Sequence, residues 1–443
     1  MLKCGFYEAE TTPFLGAHIT GYYRTRVAEG VKTKLYAKAL ALQCDDNKPV
    51  VILGFDGIST TQELFDGVHK RINQFTELSP EQIMIGATHC HTSAQYRKSD
   101  EFNKNDPLYT EFLTMRLADC AVLALQRMEE ATAWYGCEKV EGIAFIRNYL
   151  MKDGSIRTNP GRLNPDIVKP IGEVDDDYPF IIFKNSEGKM MGALSSYAVH
   201  SDTVAGNEYC GDYSGVLSDE LKKAFGNDFV SLFLIGFCGN INHVNTKILA
   251  KDQPKPVWEH IGKKLAKAIT ENLDSLEELD VSALGFSKKY ISVPKRQVSE
   301  AEIEHAKELL KQDGFDFEKV NIANPDSELF KRANAEKIIK YAEEEMKTPA
   351  LPVIQVISIG DCLVYAMNGE CYVEFQHYIK ENSPSKKNLF ASNSNGGVIG
   401  YVPVKEMTEV PTLYEANLPS AVMVPGSSEM LVDELVEMAK TLI

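Results

Sequence analysis

The sequence predicts an α/β fold in which mixed β-sheets are flanked by helices and gathered into a single large domain. Three observations carry this. Apolar runs such as "VVILGF" and "VSLFLIGF" alternate with amphipathic stretches of helical period. Some apolar runs come in pairs separated by a tight turn, which adds antiparallel hairpins to the alternation. Across 443 residues there is no repeat, no low-complexity segment and no long linker to divide the chain.

The elements follow in order. Lys48–Asp56 reads as a buried strand ending in an acid, and Ser59–Phe75 as an amphipathic helix with a Ser/Thr start. "LSPEQIMIGATHCH" is a loop and a second strand, and a helix covers about Leu108–Glu129. Pro179–His200 reads as two strands joined by the turn Asn185-Ser186-Glu187-Gly188. Ser214–Phe225 is a helix, and Phe229–Phe237 is a buried strand running into "CGNINHVN". Ser299–Gln312 and Ser327–Met346 form a helical pair too charged for a core, which predicts an insertion at about 297–347 or a partner surface. Leu351–Glu370 is a strand pair, and Ser427–Ile443 closes the chain as a helix.

Composition narrows the function. A net charge of −16 speaks against a nucleic-acid partner and against an anionic membrane surface, both of which favour basic proteins. No signal peptide is expected from "MLKCGFYEAETTP", and no apolar run approaches the length of a membrane span. Nine scattered cysteines without a C-x-x-C fit reduced thiols. The expectation is a cytoplasmic protein acting on a small molecule, its oligomeric state open.

Several apolar segments end in a histidine or an acid: Asp56, His89 with His91, His200 and Glu370. Strand carboxyl ends in α/β sheets form the rim where ligands bind. In an extended chain His89 and His91 face the same side, and two imidazoles near a carboxylate suit zinc. An H-x-H pair alone more often marks a polar rim, and a lone strand-end histidine is more often structural. There is no Gly-rich phosphate loop and no G-x-S-x-G serine elbow.

Taken in order along the chain, several segments resemble the catalytic domain of the neutral/alkaline non-lysosomal ceramidases. "HITGYYRTRVAEGVKTKLYAKALAL" is similar to the family's opening segment, and "ATHCHTS" to its T-H-T-H-S-G motif. "FIRN", "SSYAVHSDT", "CGDYSG" and "NGECYVEF" resemble N-x-N-R, F-A-V-H, S-G-D-x-x-G and P-G-E-F. "GVIGYVPVKEMTEVPTLYEA" resembles the closing Y-V-T-T-x-E-E-Y…Y-E segment. The resemblance implies a catalytic domain spanning 1–443, most like the short bacterial members. It implies one zinc ion per chain, held by His89, His200, Glu370 and Tyr401. His91, Arg147 and Tyr414 are placed around the scissile amide.

Two departures stand out. Asn242, in "GNINHVN", replaces the family's active-site serine, and His243 is extra. The family's immunoglobulin-like domain has no counterpart here. The expected function is therefore a zinc-dependent hydrolase cleaving the amide of a soluble N-acyl compound by a metal-activated water. Asp212 and Asn242 are candidate substrate contacts, and His243 or Asp212 a candidate proton shuttle. Two other readings stay open: a zinc hydrolase of an ester, lactone or sugar derivative, and a non-catalytic metal- or ligand-binding homologue.

Overall fold

A computed structural model of the chain describes residues 1–45, 47–99, 102–314, 319–322, 324–397 and 399–443. Five positions of the expected insertion, 315–318 and 323, lie outside the described residues, as does Val398 of the closing motif.

The eight helices among the described residues are α1 (Gln62–Ile72), α2 (Pro107–Gln126), α3 (Asp212–Phe225), α4 (Val257–Thr270), α5 (Glu300–Leu310), α6 (Glu328–Lys340), α7 (Val373–Asn382) and α8 (Ser427–Lys440). The larger sheet has nine strands. Its order is 230–235, 190–197, 177–185, 129–139, 2–10, 36–44, 50–55 and 83–87, and the short strand 277–279 also pairs with 129–139. A four-stranded sheet runs 284–290, 353–359, 362–367, 388–391.

The period-two alternation of side chains sorts these strands into layers. On one face Leu40, Leu42, Val50, Ile52 and Met84 meet Ile357, Val364 and Leu389 of the smaller sheet. On the other face Ala39, Val51, Leu53 and Ile85 meet Leu64, Phe65 and Leu117 of α1 and α2. Further along, Ile182, Phe233 and Ile235 meet Leu217 and Leu265 of α3 and α4. The outer face of the smaller sheet packs Val356 and Tyr365 against Ile379 and Leu435 of α7 and α8. Helices, two sheets and helices thus form four layers, the mixed α/β architecture the sequence predicts.

Most strand pairs are antiparallel. In the two main sheets three are parallel: 50–55 with 83–87, 190–197 with 230–235, and 362–367 with 388–391. Each is joined through one helix: α1, α3 and α7 respectively. Leu232 and Leu234, on one edge of the large sheet, lie against Gly54 and Gly86 near its other edge. A Cβ at those glycines would approach the leucines to 3.4 and 3.0 Å. The sheet curls, and the carboxyl ends of its two parallel edges come together.

The strands Leu2–Glu10, Tyr36–Cys44 and Glu129–Lys139 are central to the large sheet, yet their apolar runs, Cys4–Tyr7, Ala39–Leu42 and Ala133–Cys137, are short and flanked by charged or polar residues. Glu129–Lys139 leaves much of its surface exposed, so its charged residues hide its pairing. α5 and α6 form where the charged pattern places helices, and α5 opens with a Ser299/Glu302 capping box. No helix among the described residues is long and apolar enough to cross a membrane. All nine cysteines are free, and eight are buried.

Lys288, on the strand Leu284–Tyr290, is buried with its Nζ 3.5 Å from the centroid of the Phe65 ring. Burial lowers its pKa to about 7, and Glu81 and Asp66 offset only part of this. The unfolded chain then holds a proton that the folded chain lacks between about pH 7 and the ordinary lysine value. Stability contributed at this site rises with pH across that window, and the cost of burying the charge is fully present below it. Denaturant midpoints measured from pH 6.5 to 10 should rise for the wild type relative to Lys288→Met. Parallel curves for the two proteins would exclude a titrating Lys288.

Candidate metal centre

The three helix-linked parallel pairs deliver the polar residues. The strand Ile83–Ala87 ends at Thr88 and His89, Met190–Tyr197 runs on to His200, and Cys362–Met367 runs on to Glu370. Glu370 opens a two-residue strand paired in parallel with Tyr401–Val402, which sets Glu370 beside Tyr401.

His89 and His91 meet, but not through the alternation of an extended strand. His89 has φ +60°, in the left-handed region that non-glycine residues rarely occupy. This turn brings the two rings to 4.9 Å between centroids, edge to face. Asp56, at the end of the neighbouring strand, fixes the turn by accepting from Thr88 Oγ1 (3.2 Å) and from the Tyr36 backbone N–H (2.9 Å). Burial raises the Asp56 pKa, and the nearby Lys38 ammonium works against the rise.

Each imidazole is turned by a main-chain carbonyl. Nδ1 of His89 lies 2.6 Å from Ile58 O, Nδ1 of His200 lies 3.2 Å from Cys238 O, and Nδ1 of His91 lies 3.2 Å from Gly21 O. A carbonyl oxygen only accepts, so each Nδ1 carries the proton and each Nε2 of a neutral ring presents a lone pair. Burial pushes His91 and His200 well below the ordinary imidazole value, which keeps both rings neutral. The three Nε2 atoms nevertheless face one another: His89 to His200 is 3.1 Å and His89 to His91 is 3.4 Å. Glu370 Oε2 lies 3.4 Å from Nε2 of both His89 and His200, and it is buried without a hydrogen-bond donor. Burial alone would raise the Glu370 carboxyl, and the Arg147 guanidinium beside it works against the rise.

Four acceptor atoms therefore converge with no donor among them. Such a cluster repels itself unless a cation occupies its centre, and the second nitrogen of each ring is oriented as it is in metal sites. His89, His91 and His200 form a group that could hold a metal ion, and the donor set fits zinc.

Over this seat lies a cleft of about 180 Å³, lined among others by His89, His91, Glu370, Tyr401, Tyr414 and Tyr23. The Tyr401 and Tyr414 rings are 5.6 Å apart, and the Tyr23 and Tyr414 hydroxyls 3.4 Å. Burial, reinforced by Glu370, raises the Tyr401 phenol far above its ordinary value. Tyr22 also lines the cleft and donates to Asp202.

Two solved structures align with 99% of this chain. One is the neutral ceramidase from Pseudomonas aeruginosa, with a TM-score of 0.74, 16% identity and 74% of that chain covered. The fold is that of neutral ceramidase. The other is a ceramidase complexed with C2, with a TM-score of 0.73, 16% identity and 74% of that chain covered. No protein-family model matches the sequence, and no curated protein matches it. At 16% identity the likeness is one of fold, and it agrees with the resemblance carried by the motifs.

Within the neutral-ceramidase fold the remaining candidates fall in different places. Arg147 is buried behind Tyr401, its guanidinium carbon 5.3 Å from that ring's centroid, and its Nε lies 2.6 Å from Glu415 Oε1. Asn242 donates to Asn159 and accepts from the Val244 N–H at 2.9 Å, so both ends of its amide are engaged locally. His243 lines a separate cavity of about 40 Å³ with Phe145, Gln253 and His260. Asp212 is buried and accepts from the Thr203 N–H (2.9 Å) and hydroxyl (2.5 Å), which ties the loop after His200 to the start of α3. Burial raises its pKa to about 6.

Sequence reasoning missed Glu415, which follows Tyr414 directly and is fully buried. It also missed Tyr22 and Asp202, although both lie within the quoted segments, and Arg97, for which no local pattern exists. The Arg147–Glu415 pair yields a stability test. Breaking a buried pair strands a charge and costs about 3–5 kcal/mol, whereas replacing both partners with apolar residues costs much less. Glu415→Gln should lower the denaturation free energy by roughly that amount, and the double variant Arg147→Met, Glu415→Leu should recover part of the loss. Equal losses in both would mean the pair is not coupled.

Proposed function

We propose that this chain is a zinc-dependent hydrolase of the neutral ceramidase family that cleaves the amide bond of a small, soluble N-acyl compound. The observation that carries the reading is the convergence of Nε2 of His89, Nε2 of His200 and one Glu370 oxygen with no donor among them, with Nε2 of His91 beside them and free to accept a proton. In this reading His89, His200, Glu370 and Tyr401 hold one zinc ion per chain. Zinc, when bound, polarises a carbonyl and lowers the pKa of water.

The chain's own groups supply the rest. His91 lines the cleft with Nε2 unprotonated, so it is placed to take a proton from the attacking water. The hydroxyls of Tyr414 and Tyr23 face the same cleft and can donate to the oxygen that gains charge in the transition state. Arg147, paired with Glu415, holds Tyr401 from behind. One water is consumed: its oxygen bonds to the acyl carbon, the C–N bond breaks, and the amine leaves with a proton. Asn242 has no ionisable oxygen, so no acyl group is carried on it.

Residues 1–443 form one catalytic domain in this reading, with α5 and α6 as an insertion at about 297–347. The free, mostly buried cysteines agree with a reducing compartment such as the cytoplasm. The small cleft supports a compact substrate more than a long-chain lipid.

Elemental analysis of the purified full chain should find one zinc per chain. The double variant His89→Ala, His200→Ala should lose it while keeping its circular-dichroism spectrum. Metal-loaded protein in heavy-oxygen water should place the label in the carboxylate product within a single turnover. Short-chain soluble amides and esters should be cleaved in preference to ceramide in mixed micelles. Stoichiometric zinc in the double variant would sink the metal assignment. Zinc-loaded protein inert towards amides and esters alike would leave a binding protein.

A further inference from the structure

Two tyrosine hydroxyls, of Tyr23 and Tyr414, face the cleft over the cation seat and stand 3.4 Å apart. α6 reaches both rings from behind. Phe330, in its first turn, is buried, with its ring centroid 6.0 Å from that of Tyr23 and 5.9 Å from that of Tyr414. Ser327 caps the helix and accepts from the Phe330 N–H at 3.3 Å, which fixes where that ring emerges. Just past the other end of α6 the Tyr341 hydroxyl donates to Arg296 O at 2.8 Å. Arg296 donates in turn to Ala416 O at 2.6 Å and to Ala421 O at 3.0 Å. The helix is thus tied at both ends to the stretch that carries Tyr414.

One turn after Phe330 stands Asn334, a buried amide beside Ala333 and Ala335. Asparagine is a poor residue for a helix interior, and a buried amide needs partners at both ends. Its Nδ2 donates to Phe330 O, one turn back, at 3.0 Å. A carbonyl only accepts, so this contact fixes which way the amide lies, and Oδ1 is the atom turned to Tyr23. The Tyr23 hydroxyl lies 3.3 Å from Oδ1, and Oδ1 has no proton to give, so Tyr23 donates. A phenol has one proton. The Tyr23 oxygen therefore meets Tyr414 only as an acceptor, and the two cleft hydroxyls are not equivalent. Both contacts are long for a hydroxyl, so what separates them is the cost of breaking each. If Tyr23 turned its proton into the cleft, the buried Oδ1 would lose its donor. If Tyr414 does so, only the Tyr23 oxygen loses one, and that oxygen borders the cleft.

We propose that Asn334 is a positioning residue of this cleft: it binds the Tyr23 proton and so leaves Tyr414 as the hydroxyl that donates to an oxygen of the ligand. Phe330, wedged against both rings, holds them at the spacing this requires. One donor with one direction suits a single carbonyl oxygen that gains charge. That choice of ligand oxygen rests on the hydrolase reading above, whereas the order of the two protons does not. α6 then belongs to the working cleft, although its sequence is that of a solvated outer helix.

The proton order is measurable by NMR of the metal-free full chain with tyrosine labelled at Cζ. In mixed light and heavy water a slowly exchanging hydroxyl splits its carbon signal, and Tyr23→Phe and Tyr414→Phe assign the two signals. On cooling, the Tyr23 signal should split first, because its exchange is slower by roughly five- to tenfold, the factor for one ordinary hydrogen bond. Asn334→Leu keeps the volume, removes the acceptor and should abolish the difference. Asn334→Asp keeps an acceptor and should retain it, with thermal melting to show that both variants fold. Tyr414 splitting first, both signals splitting together, neither splitting, or a difference that survives in Asn334→Leu would each overturn the assignment. The wild-type comparison decides by itself if a variant does not fold. In the zinc-loaded chain acting on short-chain soluble amides, Tyr414→Phe should lower kcat roughly 100-fold and Tyr23→Phe far less, and equal losses would also overturn it. If the zinc-loaded chain cleaves none of these amides while the exchange difference stands, the hydrolase reading fails and the role of Asn334 in ordering the hydroxyls holds.

Discussion

Three carbonyl oxygens, from Ile58, Cys238 and Gly21, decide the chemistry of this molecule, because each takes the proton of one imidazole and turns the other nitrogen inward. Much of the surrounding structure holds those carbonyls and rings in register. Asp56 ties Thr88 to Tyr36 and to Ser214 at the start of α3, which fixes the left-handed turn at His89. Asp212 ties the loop after His200 to the first turn of α3. A cluster of acceptors without a donor is unfavourable by itself, so the fold stores electrostatic repulsion at its centre, and a cation would relieve it.

The layers explain how distant segments reach that centre. The three parallel, helix-linked strand pairs each end in a polar residue, in sheets that are otherwise mostly antiparallel. Two pairs occupy opposite edges of the large sheet, and its curl, permitted by Gly54 and Gly86, closes the distance between them. The third lies in the smaller sheet, which the shared core of Leu40, Ile52, Leu232, Ile357 and Val364 presses against the first. Behind the site the buried Arg147–Glu415 pair braces Tyr401, and Thr158 satisfies the second oxygen of Glu415.

How much of this was legible in the sequence followed from local pattern. The strands 50–55, 83–87 and 230–235 are continuous apolar runs, buried on both faces, and were readable as such. The polar ends of 83–87, 190–197 and 362–367 pointed to His89, His200 and Glu370. The strand Glu129–Lys139 was not readable, since its many exposed positions and charged ends mask a central pairing role. The conformation of His89 was not readable either, because nothing in "THCH" marks a left-handed residue. Arg147 was found through its motif, but its partner Glu415 is 268 residues away, and only tertiary packing joins them. Arg97 has no sequence signature; only the fold sets it beside the two cavities it borders.

The seat is drawn from segments spread between Gly21 and Tyr401, so no short stretch of the chain contains it. This has a consequence for biogenesis. His89, His91 and His200 leave the ribosome well before Glu370 and Tyr401, whose two short strands pair with each other. The three imidazoles are therefore made first and walled in later, so a chain interrupted between His200 and Tyr401 carries the rings without the carboxylate and the tyrosine that close the cleft over them.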